Sequence, residues 1–147
     1  MPEKQHNVLI ADDHEADRYF LTTAIRLHAP LLKVIGEVAD GEQVVAYLSG
    51  EGPYADREKY PLPELLILDV RMPRMTGLEV LEWLRGRNFP NLKVAMLADS
   101  SALAFRAKAL ELGVNHFYPK CLDLAELEAV VKKFQAELKD GFEGRFL

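Results

Sequence analysis

Apolar and polar positions alternate along the chain in two periods, and the pattern switches repeatedly from one to the other. The run VLIAD at 8–12 is too short and too continuous for an amphipathic helix and predicts a buried strand. The segment after it carries Ala16, Phe20, Ala24 and Leu27 at helical spacing. KVIGEV (33–38) predicts a second strand. Asp40 then starts a helix, with Gln43 at the third position for a capping box and Val44 and Leu48 on one face. LLILD (65–69) is the third strand, and Thr76 with Glu79 repeats the capping signature ahead of Leu78, Leu81 and Leu84. KVAML (93–97) is the fourth. The helix after it sets Phe105, Ala109 and Leu112 on one side and ends at Gly113. NHFY (115–118) is a shorter fifth strand. A last helix, capped by Asp123 with Glu126, carries Leu124, Leu127, Val131, Phe134 and Leu138.

Five strand–helix units in succession predict a doubly wound α/β fold, a parallel sheet with helices on both faces. Right-handed crossovers leave few topologies open. One long polar connection interrupts the series. SGEGPYADREKYPLPE (49–64) is rich in Pro, Gly and charge, and a loop of that length is either an interaction surface or a solvated insertion.

Composition narrows the function classes. The chain has 147 residues, enough for one domain with a proper core, and 49% of them are hydrophobic. Net charge is −5 and Lys and Arg form no dense cluster, so a nucleic-acid surface is not expected. No apolar run approaches the roughly 20 residues that span a bilayer, and the first residues lack the pattern of a secretory signal. The single cysteine, Cys121, has no internal disulfide partner, so a cytoplasmic setting is expected. Residues 139–147 read as a tail, with no output domain after it.

Ligands of open parallel α/β sheets bind beyond the carboxyl ends of the strands. There the first strand ends in Asp12-Asp13, the third in Asp69 and the fourth in Ala98-Asp99, while the fifth leads to Lys120. Taken singly, Asp12 and Asp13 could cap the following helix and Asp69 could hold a turn. If the first and third strands are neighbours, however, three carboxylates meet, and they cannot all stay ionised without a cation. An oxygen-only set suits a hard ion such as Mg2+. His6, His14, His28 and His116 share no metal-ligand spacing, and His14 reads as a solvated helix-start residue.

The motifs IADD (10–13) and LILDVRMPRMTGLEVL (66–81), with Lys120 after the fifth strand, resemble the response-regulator receiver domain of two-component signalling over roughly residues 6–138. The 49–64 loop is similar to that of small standalone regulators, including those paired with phytochrome-type kinases. The resemblance implies a flavodoxin-like sheet in the order 2-1-3-4-5. It also implies a phosphoacceptor protein rather than an ordinary enzyme, with Asp69 as the nucleophile. Asp12, Asp13, Asp69 and the backbone carbonyl of Arg71 would hold Mg2+, and Lys120 would pair with the phosphoryl oxygens. The implied partner is a sensor histidine kinase or phosphotransfer protein. The family's usual output and dimer face, fourth helix to fifth helix, would serve a homodimer. Gly77 would permit a turn closed to side chains.

Two positions depart from the family. Ala98 stands where a Thr or Ser hydroxyl usually meets the phosphoryl group and works with an aromatic residue, here Phe117, as a switch. Losing one donor costs on the order of 1 kcal/mol, or more when the acceptor is charged. In YPKC (118–121) the proline precedes Lys120 rather than following it, and Lys120-Cys121 is expected to be trans. Pro119 is tolerable if the fifth strand lies at a sheet edge. These departures keep a second reading open, a degenerate receiver that binds partners without phosphorylation. Enzymes on similar frames fit less well. The G-x-G-x-x-G of a dinucleotide fold and the Ser/Thr-rich loop of a flavodoxin are absent, and Arg71 stands where a haloacid-dehalogenase-type phosphatase has its second acid.

Overall fold

The computed structural model describes residues 4–120 and 123–140. Its elements are β1 (His6–Ala11), α1 (Glu15–His28), β2 (Leu32–Val38), α2 (Gly41–Ser49), β3 (Leu65–Asp69), α3 (Gly77–Arg85), β4 (Lys93–Ala98), α4 (Arg106–Glu111), β5 (His116–Pro119) and α5 (Leu124–Lys139). Short 3-10 helices cover Gly52–Ala55 and Ser100–Phe105. The five strands form one parallel sheet in the order β2-β1-β3-β4-β5, the flavodoxin-like arrangement. Its crossovers place helices on both faces, and the two-residue period of each strand divides the core accordingly. On β3, Leu66 and Leu68 join the cluster that holds Val44, Val80 and Ala109, whereas Leu65 and Ile67 join the one that holds Leu21, Ile25, Val131 and Phe134. All five β3 residues are buried, Asp69 among them.

Capping follows the sequence closely but not everywhere. Thr76–Glu79 and Asp123–Glu126 form complete reciprocal boxes. At α2 only half of the box forms: Asp40 accepts from Gln43 N–H, while Gln43 Oε1 reaches past the cap to Ala39 N–H at 2.7 Å. The predicted apolar stripe of α1 holds at Ala24 and shifts by a residue around it. Leu21, Ala24 and Ile25 are buried there, whereas Phe20 and Leu27 are exposed. Both stripes have helical period, and only the position of the sheet chooses between them. Leu124 likewise faces solvent at the first turn of α5, and Phe20 and Leu124 line a cavity of about 440 Å³ with Leu21 and Leu127.

The predicted fourth helix begins instead as the 3-10 segment, because Asp99 accepts from both Ser101 Oγ and Ala102 N–H and tightens the turn. Phe105 therefore leaves the apolar side that Ala109 and Leu112 keep.

The long connection is folded onto the domain. Arg57 donates to the carbonyls of Tyr47, Leu48 and Tyr60, two of them at the free end of α2. Tyr47, Tyr54 and Tyr60 pack against one another with tilted or edge-to-face rings, and the Tyr47 hydroxyl donates to the Pro61 carbonyl. Burial pushes that hydroxyl's pKa up to about 12.

Candidate functional site

The carboxyl ends of β1, β3 and β5 meet at one edge of the sheet. Asp12 is held there by its N–H on the Val38 carbonyl, its own carbonyl accepting from Arg18 at 2.6 Å. Asp69 ends β3 at 3% exposure and Asp12 follows β1 at 5%, both unusual for carboxylates. Lys120, fixed by its N–H on the Ala98 carbonyl, extends its ammonium between them, 2.7 Å from Asp12 Oδ2 and 3.1 Å from Asp69 Oδ2. Pro119 sits on the edge strand opposite Ala98, where its missing N–H costs no ladder bond on the outer side. Cys121 lies outside the described residues, and with it the Lys120-Cys121 bond.

One ammonium cannot balance this many acids. Burial first, and then the charge of Asp12, push the Asp69 carboxyl up to about 7, although Lys120 and the Arg71 N–H pull the other way. Burial also works to lower the Lys120 pKa. Hydrogen bonds to Asp12 and Asp17, with the charges of Asp69 and Asp12, outweigh it and hold that pKa above its ordinary value. Lys120 stays charged, and Asp69 is the carboxylate left under-compensated. Although the ammonium is at ion-pair distance, no hydrogen bond of acceptable angle reaches Asp69 Oδ2.

Asp12, Asp13, His14 and Asp69 each offer one ligand atom, all within 4.8 Å of one another. Asp13 is more open, its side chain 32% exposed. The Arg71 N–H faces Asp69 Oδ1 at 3.4 Å, which places the Arg71 backbone beside that carboxylate. Gly77 closes this loop: its N–H bonds the Val70 carbonyl, and a Cβ there would collide with the Asp69 carbonyl oxygen. Met72 is buried beneath the loop, and Arg74 takes a left-handed φ of 67°.

Ala98 is fully buried and packs with Ala102 in the core on the α2–α4 side. Phe117, half-buried, packs against the same cluster. No hydroxyl stands at the end of β4. Ser101 does not substitute, because its Oγ is engaged with Asp99 at 2.6 Å and with Arg71 Nε at 3.0 Å. Asp99 is turned into its own 3-10 turn rather than onto the acids.

Three participants were not singled out by the sequence reading. Asp17 meets Lys120 at 3.0 Å; its place four residues after Asp13, one helical turn on, was the available signal. His14 is exposed at the start of α1, as expected, and also turns its ring towards the acids. The Arg71 side chain crosses to the 100–105 turn, with its guanidinium over the Phe105 ring. Long-range reach of that kind leaves no mark in spacing. His14, Asp17, Asp99, Ser100 and Lys120 line the open mouth above the acids, a cavity of about 360 Å³.

Comparison with known proteins matches this arrangement. A family model, the response regulator receiver domain, covers residues 8–132. The transcriptional regulatory protein TctD of Salmonella typhimurium is 45% identical over 65 residues, 44% of this chain and 29% of TctD. The response regulator MprA of Mycobacterium tuberculosis is 29% identical over 122 residues, 83% of this chain and 47% of MprA. The chain thus spans less than half the length of these relatives. Among solved structures, the phosphorylated cyanobacterial phytochrome response regulator RcpA superposes with a TM-score of 0.76 at 27% identity, over 90% of this chain and 93% of RcpA. The response regulator RPA3017 of red-light signalling in R. palustris gives 0.77 at 28%, over 90% and 92%. The Mn2+-bound response regulator Rcp1 gives 0.73 at 26%, over 89% and 92%. Sheet order, acid cluster and sequence agree, and the chain belongs to the response regulator receiver domain family, the phosphoacceptor module of phosphorelay signalling.

Proposed function

We propose that this protein is a response regulator that accepts a phosphoryl group on Asp69 from a sensor histidine kinase or phosphotransfer protein and signals by protein–protein contact. The observation that carries this reading is the placement of Asp69, a buried carboxylate at a strand end with one oxygen lacking a hydrogen bond and an ammonium 3.1 Å away. Such a group is costly to bury and is a natural nucleophile once its charge is balanced.

The donor set fits Mg2+. Carboxylates of Asp12, Asp13 and Asp69 are hard oxygen donors at an open edge, and with the Arg71 carbonyl they would hold the ion. When bound, the ion supplies charge neutralisation to the acids and the incoming phosphoryl group. The Mn2+-bound state of Rcp1 and the phosphorylated state of RcpA support the same reading here. In transfer, an Asp69 oxygen attacks phosphorus, a P–O bond forms as the P–N bond of a phosphohistidine breaks, and the leaving imidazole takes up a proton. Lys120 would stabilise phosphoryl oxygens, and the end of β3 fixes the attacking carboxylate.

The family's α4–β5–α5 face is the proposed output and homodimer surface, to be checked by light scattering with and without phosphorylation. No helix among the described residues is long and apolar enough to cross a membrane, and a cytoplasmic location remains part of this proposal.

A second reading, a module that binds partners independently of phosphorylation, is favoured by one observation, the methyl of Ala98 at the usual hydroxyl position. Incubation with Mg2+ and a small phosphodonor separates the two. Label on the wild type and none on Asp69→Asn supports transfer. No label, or label that persists in the variant, overturns it, and an unchanged partner affinity after phosphorylation supports the second reading.

A further inference from the structure

We infer that His14 Nδ1 is a further protein ligand of the metal site, and that it shifts the site's selectivity from Mg2+ towards divalent transition ions that accept imidazole, such as Mn2+ and Ni2+. The inference rests on Asp12, Asp13 and Asp69 forming a metal site, and goes beyond that oxygen-only set.

Geometry is the first ground. His14 Nδ1 lies 3.4 Å from Asp12 Oδ1 and 3.2 Å from Asp13 Oδ1. Neighbouring ligand atoms around an ion with bonds of about 2.1 Å are roughly 3 Å apart in an octahedral site and slightly further in a tetrahedral one. The ring nitrogen therefore already occupies a coordination-edge position relative to two acids. The cluster also contains a second pointer to a ligand, the buried Asp69 Oδ2 without a hydrogen bond.

The second ground is that neither capping nor packing accounts for the His14 side chain. It stands at the N-cap of α1, yet its side chain makes no capping hydrogen bond. Its side chain is 58% exposed, so it contributes little packing. What is fixed is its backbone, whose N–H donates to Asp12 Oδ1 at 2.9 Å and so aims the ring across the acids. The remaining histidines behave differently. His6, His28 and His116 each meet one glutamate, Glu64, Glu128 and Glu137, at 2.9, 2.8 and 2.6 Å. His14 alone among them faces several aspartates, Asp17 included at 3.7 Å.

Ligand chemistry gives the direction of the effect. Mg2+ prefers oxygen donors and retains its waters, whereas imidazole suits transition ions, for which affinity rises from Mn2+ to Ni2+. Exchanging one oxygen or water ligand for Nδ1 therefore adds affinity for Ni2+ and Mn2+ and little for Mg2+. A protonated His14 that merely balances the acids would have the opposite consequence, since any ion would have to displace it.

The test is a titration of the full chain with Mg2+, Mn2+ and Ni2+, each alone, comparing wild type, His14→Ala and Asp13→Asn, with pulsed EPR of the Mn2+ form. His14→Ala is expected to weaken Ni2+ about tenfold and Mn2+ severalfold while leaving Mg2+ within about twofold, and to remove a directly bound nitrogen coupling from the Mn2+ spectrum. Unchanged ion ratios and no nitrogen coupling in the wild type overturn the inference, as does tighter binding of all three ions by His14→Ala. If Asp13→Asn binds as well as wild type, or the wild type binds no ion, the metal-site reading itself has failed.

Discussion

The ammonium of Lys120, 2.7 Å from Asp12, also joins Asp69 of β3, at 3.1 Å, to Asp17 of α1, at 3.0 Å. Asp17 lies outside the receiver motif and is 44% exposed on its side chain, so it can hold the lysine without taking part in transfer. It also adds a negative charge at the mouth through which, under the proposed function, a dianionic phosphodonor would enter. Asp17→Asn keeps an oxygen for the ammonium and removes the charge. Labelling of Asp69 by a small phosphodonor with saturating Mg2+ is expected to be about three- to fivefold faster in this variant, a barrier change of roughly 1 kcal/mol. A slower rate would show that the charge of Asp17 is needed to aim Lys120.

Asp69 makes stability depend on pH with a definite sign. An unfolded Asp ionises near 3.8, but burial and the Asp12 charge raise the folded value to about 7. Between those values the folded state binds more protons than the unfolded state, so this group's contribution falls as pH rises and its penalty is complete above about pH 7. Lys120 adds no pH dependence in this window, because the stability from its raised pKa is constant here and is lost only at strongly alkaline pH. Asp69→Asn should therefore be more stable than wild type at pH 8, by on the order of 2 kcal/mol, and equal to it near pH 4. Saturating Mg2+ should reverse the order at pH 8. Denaturant midpoints at the two pH values, with and without Mg2+, check all three statements.

Much of this site was legible in the sequence because it is built at strand ends. A buried strand such as LLILD has one place where a carboxylate can follow, and parallel topology gathers those places at one edge. What escaped depends on side-chain reach or on choices between equivalent patterns. The α1 stripe could run through Phe20 or through Leu21 at the same period, and only the helix's seat on the sheet decides. His14 and Asp17 were visible as residues of DDHEAD, but their direction is set by the Asp12 Oδ1 bond to the His14 N–H and by Lys120 arriving from β5. The 49–64 connection stayed open between an interaction surface and a solvated insertion, because its order comes from Arg57 binding α2 carbonyls, an interaction without a sequence period.

Ala98 offers a direct test of the missing hydroxyl. The position is fully buried, so a hydroxyl introduced there must find a partner or lose its water. Ala98→Ser is expected to destabilise the resting protein by about 1–2 kcal/mol. With beryllium fluoride and Mg2+, a charged acceptor becomes available next to Asp69, and the deficit should shrink to well under about 1 kcal/mol. Thermal unfolding of both proteins with and without the phosphoryl mimic measures the difference. An equal deficit in both states would place the serine hydroxyl out of reach of the site.

Without that hydroxyl, a different set of contacts leads from Asp69 to the 100–105 turn that precedes α4. Arg71 has its backbone beside Asp69 and its guanidinium on the 100–105 turn, where it donates to Ser101 Oγ and the Ser101 carbonyl and lies 5.6 Å from the centre of the Phe105 ring. Ser101 in turn donates to Asp99, whose pKa this bond lowers, so the turn is closed by a chain of charge-assisted contacts. A change at the Arg71 backbone when Asp69 is modified must either carry the guanidinium along or break its hold. Arg71→Ala keeps the backbone carbonyl and removes the bridge. Amide exchange in residues 100–105 should change by about tenfold in the wild type on adding beryllium fluoride and Mg2+, and by less than about twofold in Arg71→Ala. Mimic binding itself should be nearly the same in both proteins, since the backbone beside Asp69 is retained. If the 100–105 response survives in Arg71→Ala, the connection to α4 runs instead through β4 and the packing of Ala98 on Ala102.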